Sequence, residues 1–330
     1  SLLANLAYGV TSGLDVQPFT VDVFGYRDMI DAGIMAGPRA FSTGPGIFVN
    51  SEINSAEEAS AVLTRYRDHY RTHNLKAYLV GNRIQRKLVV EASAKMGMMA
   101  TTEGASDFNL NLTHAIDGMA GNEHNLPITP LRDDVVRLYA GSRIGYSPTF
   151  GVLYGGFSPF DNQVIAGAID EDAKLRRFVP PGIIETKMRG RIWVAPMDRS
   201  VASFAADAIR IRRAGGLIGI GSHAVIQGLG YHYEMQAYAL GGATPHEVLR
   251  AATLDSAEVI GRKAQVGSLE PGKYADILIM SANPLEKVEN AARIDKVMKN
   301  GRIYDAATLT EEWPRKRALP EPWFAKAQPN

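Results

Sequence analysis

Five places in the chain set a chemically capable side chain near the end of a β-branched or aromatic run: Lys76, Thr102 with Glu103, Glu123 with His124, Pro148 with Thr149, and Ser222 with His223, although Lys76 falls early in its run and reaches the end only if that strand stops a few residues sooner. If the runs are neighbouring strands, a lysine, an acid and two histidines converge on one mouth. Those oxygen and nitrogen donors suit a hard or borderline divalent cation such as Zn2+. Lys76 has a second use, as the amine of a Schiff-base enzyme. The chain has no cysteine, so a thiol nucleophile, a disulfide scaffold and a Cys-ligated metal are excluded, and any metal is held by nitrogen and oxygen. His232 and Glu234 follow the last run, where they can contact substrate or orient His223, or simply open a helix. His69 and His73 have the i, i+4 spacing of a zinc pair. The residues between them include no catalytic glutamate, so they read as a solvated face. The Gly216–Gly221 run lacks the spacing of a dinucleotide loop and reads as strand.

Positioning these groups requires parallel βα units, and the chain alternates short β runs with capped amphipathic segments. Seven strands are expected, at Val10–Val16, Pro38–Thr43, Leu75–Val80, Met98–Thr102, Gly121–Leu126, Gly145–Phe150 and Gly216–His223. Four of them begin near residues 76, 99, 122 and 146, a nearly constant step that favours a barrel over an open sheet. The expected fold class is α/β, a (β/α)8 TIM-type barrel with seven strands visible, and its C-terminal rim carries the chemistry. The first strand would lie before residue 1. Helix starts are expected at Ser55 with Glu58, at Asp133 and at Ser200, and helix ends at Gly97, Gly141 and Gly215. The long segment Tyr154–Gly190 reads as an elaborated loop on the rim. Tyr154-Gly155-Gly156-Phe157 and the Phe178–Gly182 stretch can cover a substrate there, or the insertion can pack an interface.

Past residue 240 the pattern changes. Thr244-Pro245-His246-Glu247 opens a helix running towards Ile260. Glu270-Pro271-Gly272-Lys273 suits a type II turn, Ala275–Met280 a strand, and Asn300-Gly301 a two-residue hairpin between Lys296–Lys299 and Arg302–Tyr304. Residues 1–262 are expected to form the barrel lacking its first strand, and 263–330 half of a small β-sandwich with a C-terminal tail. The 36 Lys and Arg balance 35 Asp and Glu, which gives no electrostatic reason to expect nucleic acid or an anionic membrane. With 45% apolar residues the chain is foldable, no run is long enough to span a bilayer, and residues 1–5 lack the features of a signal peptide.

The segment Gly267-Ser268-Leu269-Glu270-Pro271-Gly272-Lys273-Tyr274-Ala275-Asp276-Ile277-Leu278-Ile279, with Asn283-Pro284-Leu285 and Val297-Met298-Lys299-Asn300-Gly301-Arg302, resembles the C-terminal signature of the amidohydrolase superfamily. Thr244–Thr253 and Tyr8–Ser12 extend the resemblance over nearly the whole chain. It is strongest to imidazolonepropionase-like and Xaa-Pro-dipeptidase-like hydrolases, particularly those fused to a Tol-type β-propeller.

The resemblance implies a distorted barrel with one or two metal ions, most often Zn2+, and a β-sandwich built from both chain ends. In the family the metals are held by a His-x-His pair on strand one, a carboxylated lysine on strand four, histidines on strands five and six, and an aspartate on strand eight. A metal-activated water attacks an amide or related bond. Carried onto this chain, Lys76 matches the bridging lysine and His124 the strand-six ligand. Strand five has Glu103 where histidine is usual; it can bind metal or cap the next helix. Strand eight has His223 where the family has aspartate, and His223 can serve as base or ligand. No His-x-His occurs in the sequence, so the resemblance implies a segment preceding Ser1 or a second chain.

The expectation is therefore a metal-dependent hydrolase cleaving an amide, cyclic amide or dipeptide-like C–N bond. Lys76, Glu103, His124 and His223 would be ligands, His223 also the catalytic base, and Tyr154 and His232 substrate contacts. The rival is a non-catalytic barrel serving as an interaction or propeller-packing module. A small-molecule or short peptide-like substrate is expected, homo-oligomerisation and compartment stay open, and a periplasmic or secreted location would follow from a signal peptide on a longer chain.

Overall fold

All seven expected parallel strands form, each shorter than its apolar run because the ladder stops where the chain turns onto the rim. They are β1 (Ser12–Asp15), β2 (Arg39–Ser42), β3 (Asn74–Lys76), β4 (Met99–Thr102), β5 (Gly121–Glu123), β6 (Gly145–Ser147) and β7 (Leu217–Ile218). The computed structural model describes residues 2–327 apart from 17, 48–52, 79, 155–168, 170, 190–199 and 224–225. β1 pairs with β2, and β3 through β7 make a five-stranded parallel sheet in chain order. A single bridge, Ile47 to Ala77, continues β2's side of the ladder onto β3. Among the described residues β7 pairs with β6 alone, so the strands form an ordered parallel run with no closing pair.

The register explains the regular spacing of the motifs. Lys76 lies opposite Thr101, Thr102 opposite Asn122, and Glu123 opposite Ser147, so each strand ends at about the same height as the one before. Lys76 is the last residue of β3, with Glu103 and His124 each one residue past theirs. Alternation does the rest. Tyr146 faces the helix layer and stacks edge-on with Tyr139 of the helix Asp133–Ser142, at 5.4 Å between ring centres. Gly121 and Gly145 face the other way, where a Cβ would press on Thr101 and Val259.

The helix starts follow the sequence with exceptions that have physical causes. Ser55 caps the helix Ala56–Thr64 by accepting from the Glu58 N–H, while Glu58 reaches back to the Asn54 N–H. Thr244 and Glu247 form a complete capping box on Pro245–Arg250, and a π-turn carries that helix on to Ser256–Val259 before Gly261. Ser200 makes no cap: it has helical backbone angles and its hydroxyl is buried without a partner among the described residues. Gly141 does not end its helix either, because left-handed Arg143 does so two residues later.

The C-terminal part is a single antiparallel sheet in the order β11-β10-β9-β8, from β8 (Ile277–Met280), β9 (Ile294–Lys299), β10 (Arg302–Asp305) and β11 (Glu311–Trp313). The expected sandwich half is thus one sheet among the described residues, with a fourth strand, β11, beyond those anticipated. Asn300 and Gly301 both take positive φ and join β9 to β10, as the hairpin chemistry required. One face of the sheet buries Ile294, Val297 and Tyr304 in a cluster with Leu6, Tyr8 and Ala36 from the N-terminal region, so its core is shared with the start of the chain. Arg39 of β2 anchors the sheet edge. It pairs with Asp276 at 2.8 Å, donates to Asn300 Oδ1 and lies 4.1 Å over the Tyr274 ring.

The described part of the Tyr154–Gly190 insertion holds the helices Ala173–Phe178 and Pro181–Arg189. Phe178 and Val179, expected over the substrate, are buried in the same cluster as Leu6 and Tyr8. They serve packing because that apolar cluster withdraws them from the rim. Gly155 to Phe157, the other expected cover, lie outside the described residues.

Candidate active site on the rim of the parallel strands

Five of the six site residues singled out in the sequence, Lys76, Glu103, His124, Tyr154 and His223, gather above the ends of the parallel strands, His223 from the turn beyond β7. Lys76 Nζ donates to Glu103 Oε2 at 2.7 Å, and His124 Nε2 stands 3.2 Å from the same oxygen. The His124 ring lies 5.2 Å from that of His223 and meets Tyr154 edge-on at 5.3 Å. Lys76, Glu103 and His124 are all buried, at 3%, 5% and 6% exposure, so their charges interact through protein rather than bulk water. His223 is exposed at the opening.

Glu103 is not a helix cap. The next helix, Phe108–Asp117, is capped by Asp107, whose side chain accepts the Leu110 N–H. That leaves the Glu103 carboxylate to the rim. Burial acts to raise its pKa, but the hydrogen bond from His124 and the charge of Lys76 outweigh it and hold the carboxyl at about 2. Glu103 is therefore ionised throughout the neutral range. The His223 imidazole is pushed down, first by desolvation among its neighbours and then by His124. The Tyr154 phenol is pushed up by burial and next by the Glu103 charge.

The backbone at the rim is unusual. His124, Thr149 and His223 all have positive φ, at 67°, 52° and 49°. A left-handed residue directly after a strand turns its side chain off the ladder, which is how His124 comes to face Glu103. The His124 N–H still donates to Ser147 O at 2.8 Å, so the turn stays tied to β6.

Two expected or suspected contacts are not made. His232 does not join the group: it is buried on the helix Leu229–Leu240, its Nε2 lies 2.9 Å from Tyr8 O, and burial first of all holds its pKa at about 4. Glu234, one turn-face away, does not orient His223. Its carboxylate accepts the N–H groups of Phe150, at 2.9 Å, and Gly151, while burial raises its pKa to about 8. His69 and His73 are both exposed, in line with a solvated face.

Asn125 was not singled out by sequence. Its amide donates to Tyr154 O at 2.7 Å and its carbonyl oxygen accepts the Tyr154 N–H at 2.8 Å. The available signal was an amide immediately after a rim histidine, a residue type that can bond the backbone of a neighbouring turn in both directions.

Two features of the donor set suit a divalent cation and one opposes it. His124 Nδ1 is buried with no hydrogen-bond partner among the described residues, and Glu103 is ionised, both of which suit a cation. A Lys76 ammonium on Glu103 opposes one by repulsion, whereas a carbamate on the same nitrogen would add an oxygen donor. Among the described residues no group of three or more His, Asp or Glu side chains is arranged to hold a metal ion by itself, so Glu103 and His124 fit a cation best with the added oxygen of a carboxylated Lys76.

Residues 194–304, about a third of the chain, match the model of the Amidohydrolase family. That match spans His223 but not Lys76, Glu103 or His124. Imidazolonepropionase of Shouchella clausii is 44% identical over 63 residues, which make up 18% of this chain and 14% of the relative. The enzyme of Symbiobacterium thermophilum is 42% identical over 65 residues, or 19% and 15%. The matched stretch is thus a small fraction of the curated relatives' length. Among solved structures, a Xaa-Pro dipeptidase with bound methionine in its active site superimposes with a TM-score of 0.67 and 21% identity, covering 92% of this chain and 77% of that one. A bottromycin amidohydrolase gives 0.70 and 17%, covering 92% and 73%. The match ties residues 194–304 to the Amidohydrolase family and a stretch of the chain to imidazolonepropionases, and the solved structures show that the chain shares the fold of a Xaa-Pro dipeptidase and a bottromycin amidohydrolase.

Proposed function

We propose that the protein is a metal-dependent hydrolase of a C–N bond in an amide, cyclic amide or dipeptide-like substrate. The observation that carries this reading is the Lys76–Glu103–His124 contact set, with His223 facing it, at the C-terminal ends of successive parallel strands. In a parallel α/β enzyme that rim is where chemistry is built. The fold behind it would be a (β/α)8 barrel in residues 1–262, buttressed by residues 263–330. Glu103, His124, His223 and a carboxylated Lys76 would hold one or two divalent ions, with Zn2+ suited to the mixed nitrogen and oxygen set. The metal would supply an activated water and a Lewis acid for the scissile carbonyl. His223, displaced towards its neutral form and open to the mouth, is suited to take a proton on a ring nitrogen and return it to the leaving amine. Glu103 fixes the orientation of His124 through Oε2, and Tyr154 walls the substrate side.

The test is metal analysis with a hydrolysis panel. Purified chain is expected to bind divalent metal and to hydrolyse at least one dipeptide or cyclic amide in a bicarbonate-dependent way. Less than about a tenth of an equivalent of metal, with no activity restored by Zn2+ or Mn2+, sinks the proposal.

One observation favours the rival reading of a non-catalytic interaction module. Lys76 Nζ reaches Glu103 Oε2 at 2.7 Å, so a protein cation already occupies the carboxylate that a metal would need. Under that reading metal is not retained and bicarbonate has no effect. A Lys76 Schiff base would instead be trapped by borohydride with a carbonyl substrate.

A further inference from the structure

We propose that Asn125 and Glu234 are positioning residues for this site: two buried side chains that grip the turn after β6 from opposite ends and thereby set Tyr154 against His124. The inference deepens the hydrolase reading and rests on it for what Tyr154 would face.

The turn begins at Thr149, which has positive φ, and closes with the Val152 N–H donating to Thr149 O at 3.0 Å. Its first half is held by Glu234, only 2% exposed, which accepts the Phe150 and Gly151 N–H groups on its two oxygens. The carboxyl group thus occupies both donors at a place where no strand supplies acceptors. Its second half is held by Asn125, 1% exposed, which bonds both backbone groups of Tyr154. The same Asn125 amide also donates to Leu126 O at 2.8 Å, fixing the side chain to its own loop.

The geometry makes these contacts specific to the site. Asn125 directly follows His124 and holds the residue whose ring meets His124 edge-on, so one amide sets the distance between the two rings. Glu234 is supplied by the helix that follows β7, and the same helix packs Tyr238 edge-on against Phe150 at 5.3 Å. Strands β5 and β6 and the β7 helix are thereby locked together through one turn. A buried loop with its backbone satisfied at both ends is rigid, and rigidity is what a reacting wall needs.

The test uses the full chain and does not require a known substrate. Histidine ring resonances are recorded by NMR with labelled histidine, and amide exchange is followed at Phe150, Gly151 and Tyr154. Tyr154→Leu is expected to shift the His124 ring resonance, and Asn125→Ala and Glu234→Ala to shift it in the same sense. Glu234→Gln, which keeps one acceptor, should give a smaller shift. Exchange should rise roughly tenfold or more at Phe150 and Gly151 in the Glu234 variant and at Tyr154 in the Asn125 variant, with the rest of the chain protected. Rapid exchange of these three amides in the wild type overturns the proposal, and so does a His124 resonance that moves with Tyr154→Leu but not with either clamp variant. If a clamp variant fails to fold, Glu234→Gln and wild-type exchange decide the matter. Hydrolysis is a separate arm. A wild type with no activity on any substrate counts against the hydrolase reading and leaves the clamp result standing. Where a substrate is found, Asn125→Ala should lower kcat by on the order of tenfold with its melting temperature kept.

Discussion

At the scale of single residues, the rim is dominated by one buried ion pair. In the metal-free chain with Lys76 unmodified, removing one member strands the other, so Glu103→Gln, which leaves Lys76 buried without its carboxylate, is expected to cost about 3–5 kcal/mol in denaturant unfolding. Converting both members to apolar residues should cost much less, and a double-mutant cycle measures the difference. Titration gives a second set of expectations. His114 is held at about 4 by burial and then by Arg86, and His232 at about 4 by burial. Both folded values lie below the usual 6.5, so the unfolded chain binds more protons between them, and stability is lost as pH falls from about 6.5 towards 4. Glu103, held at about 2, adds a loss below about 4.5. Glu234 acts in the opposite sense. Its folded value of about 8 lies above the unfolded one, so its contribution is full below about 4.5 and is lost as pH rises to 8. Glu234→Gln should therefore flatten the alkaline side of a stability-against-pH curve and leave the acidic side unchanged.

At the scale of elements, close approach sets the sharpest limits. Where the helices Val201–Arg213 and Leu229–Leu240 meet, a Cβ on Gly241 would lie 2.6 Å from the Ala205 backbone. Gly241→Ala is expected to cost about 1–3 kcal/mol, read from thermal unfolding, because backbone cannot yield as a side-chain tip can. The Arg39 anchor is another such point. Arg39→Met keeps the stem but leaves Asp276 buried without its cation, and should expose the C-terminal sheet to limited proteolysis before the rest of the chain. Much at this scale was legible in the sequence. Asn300-Gly301, Thr244-Pro245-His246-Glu247 and the evenly spaced strands are written in residue types whose backbone preferences are strong and local. The exceptions depend on distant partners. β11 is three residues of mixed character whose strand state comes from pairing with β10, and Ser200 loses its cap to a buried environment its neighbours in sequence do not reveal.

At the scale of the whole molecule, two apolar clusters divide the core: one under the parallel strands, the other joining the first helix, the insertion and the C-terminal sheet. The second makes the ends of the chain depend on each other. Leu6 is fully buried there alongside Val297 and Tyr304, so Leu6→Ala should cost about 2–5 kcal/mol and lower hydrogen-exchange protection in β9 and β10, far away in sequence. The site was readable at its strand ends, because strand ends are local. The partners of His232 and Glu234 are not legible in the sequence, since which face of the helix Leu229–Leu240 meets Tyr8 and which meets Phe150 is decided by packing across the molecule.

The left-handed turns at His124, Thr149 and His223 bear on how this rim can change. A β-branched residue pays most for such a backbone, and Thr149 is one, so Thr149→Gly or Thr149→Asn should stabilise the fold by roughly 1 kcal/mol. Saturation libraries at the three positions, sorted for folded protein alone, should return glycine, asparagine and aspartate in excess and valine and isoleucine rarely. New chemistry on this scaffold is therefore confined to a short alphabet at these three rim positions, and variety has to enter through neighbours such as Tyr154 whose backbones are free of that constraint.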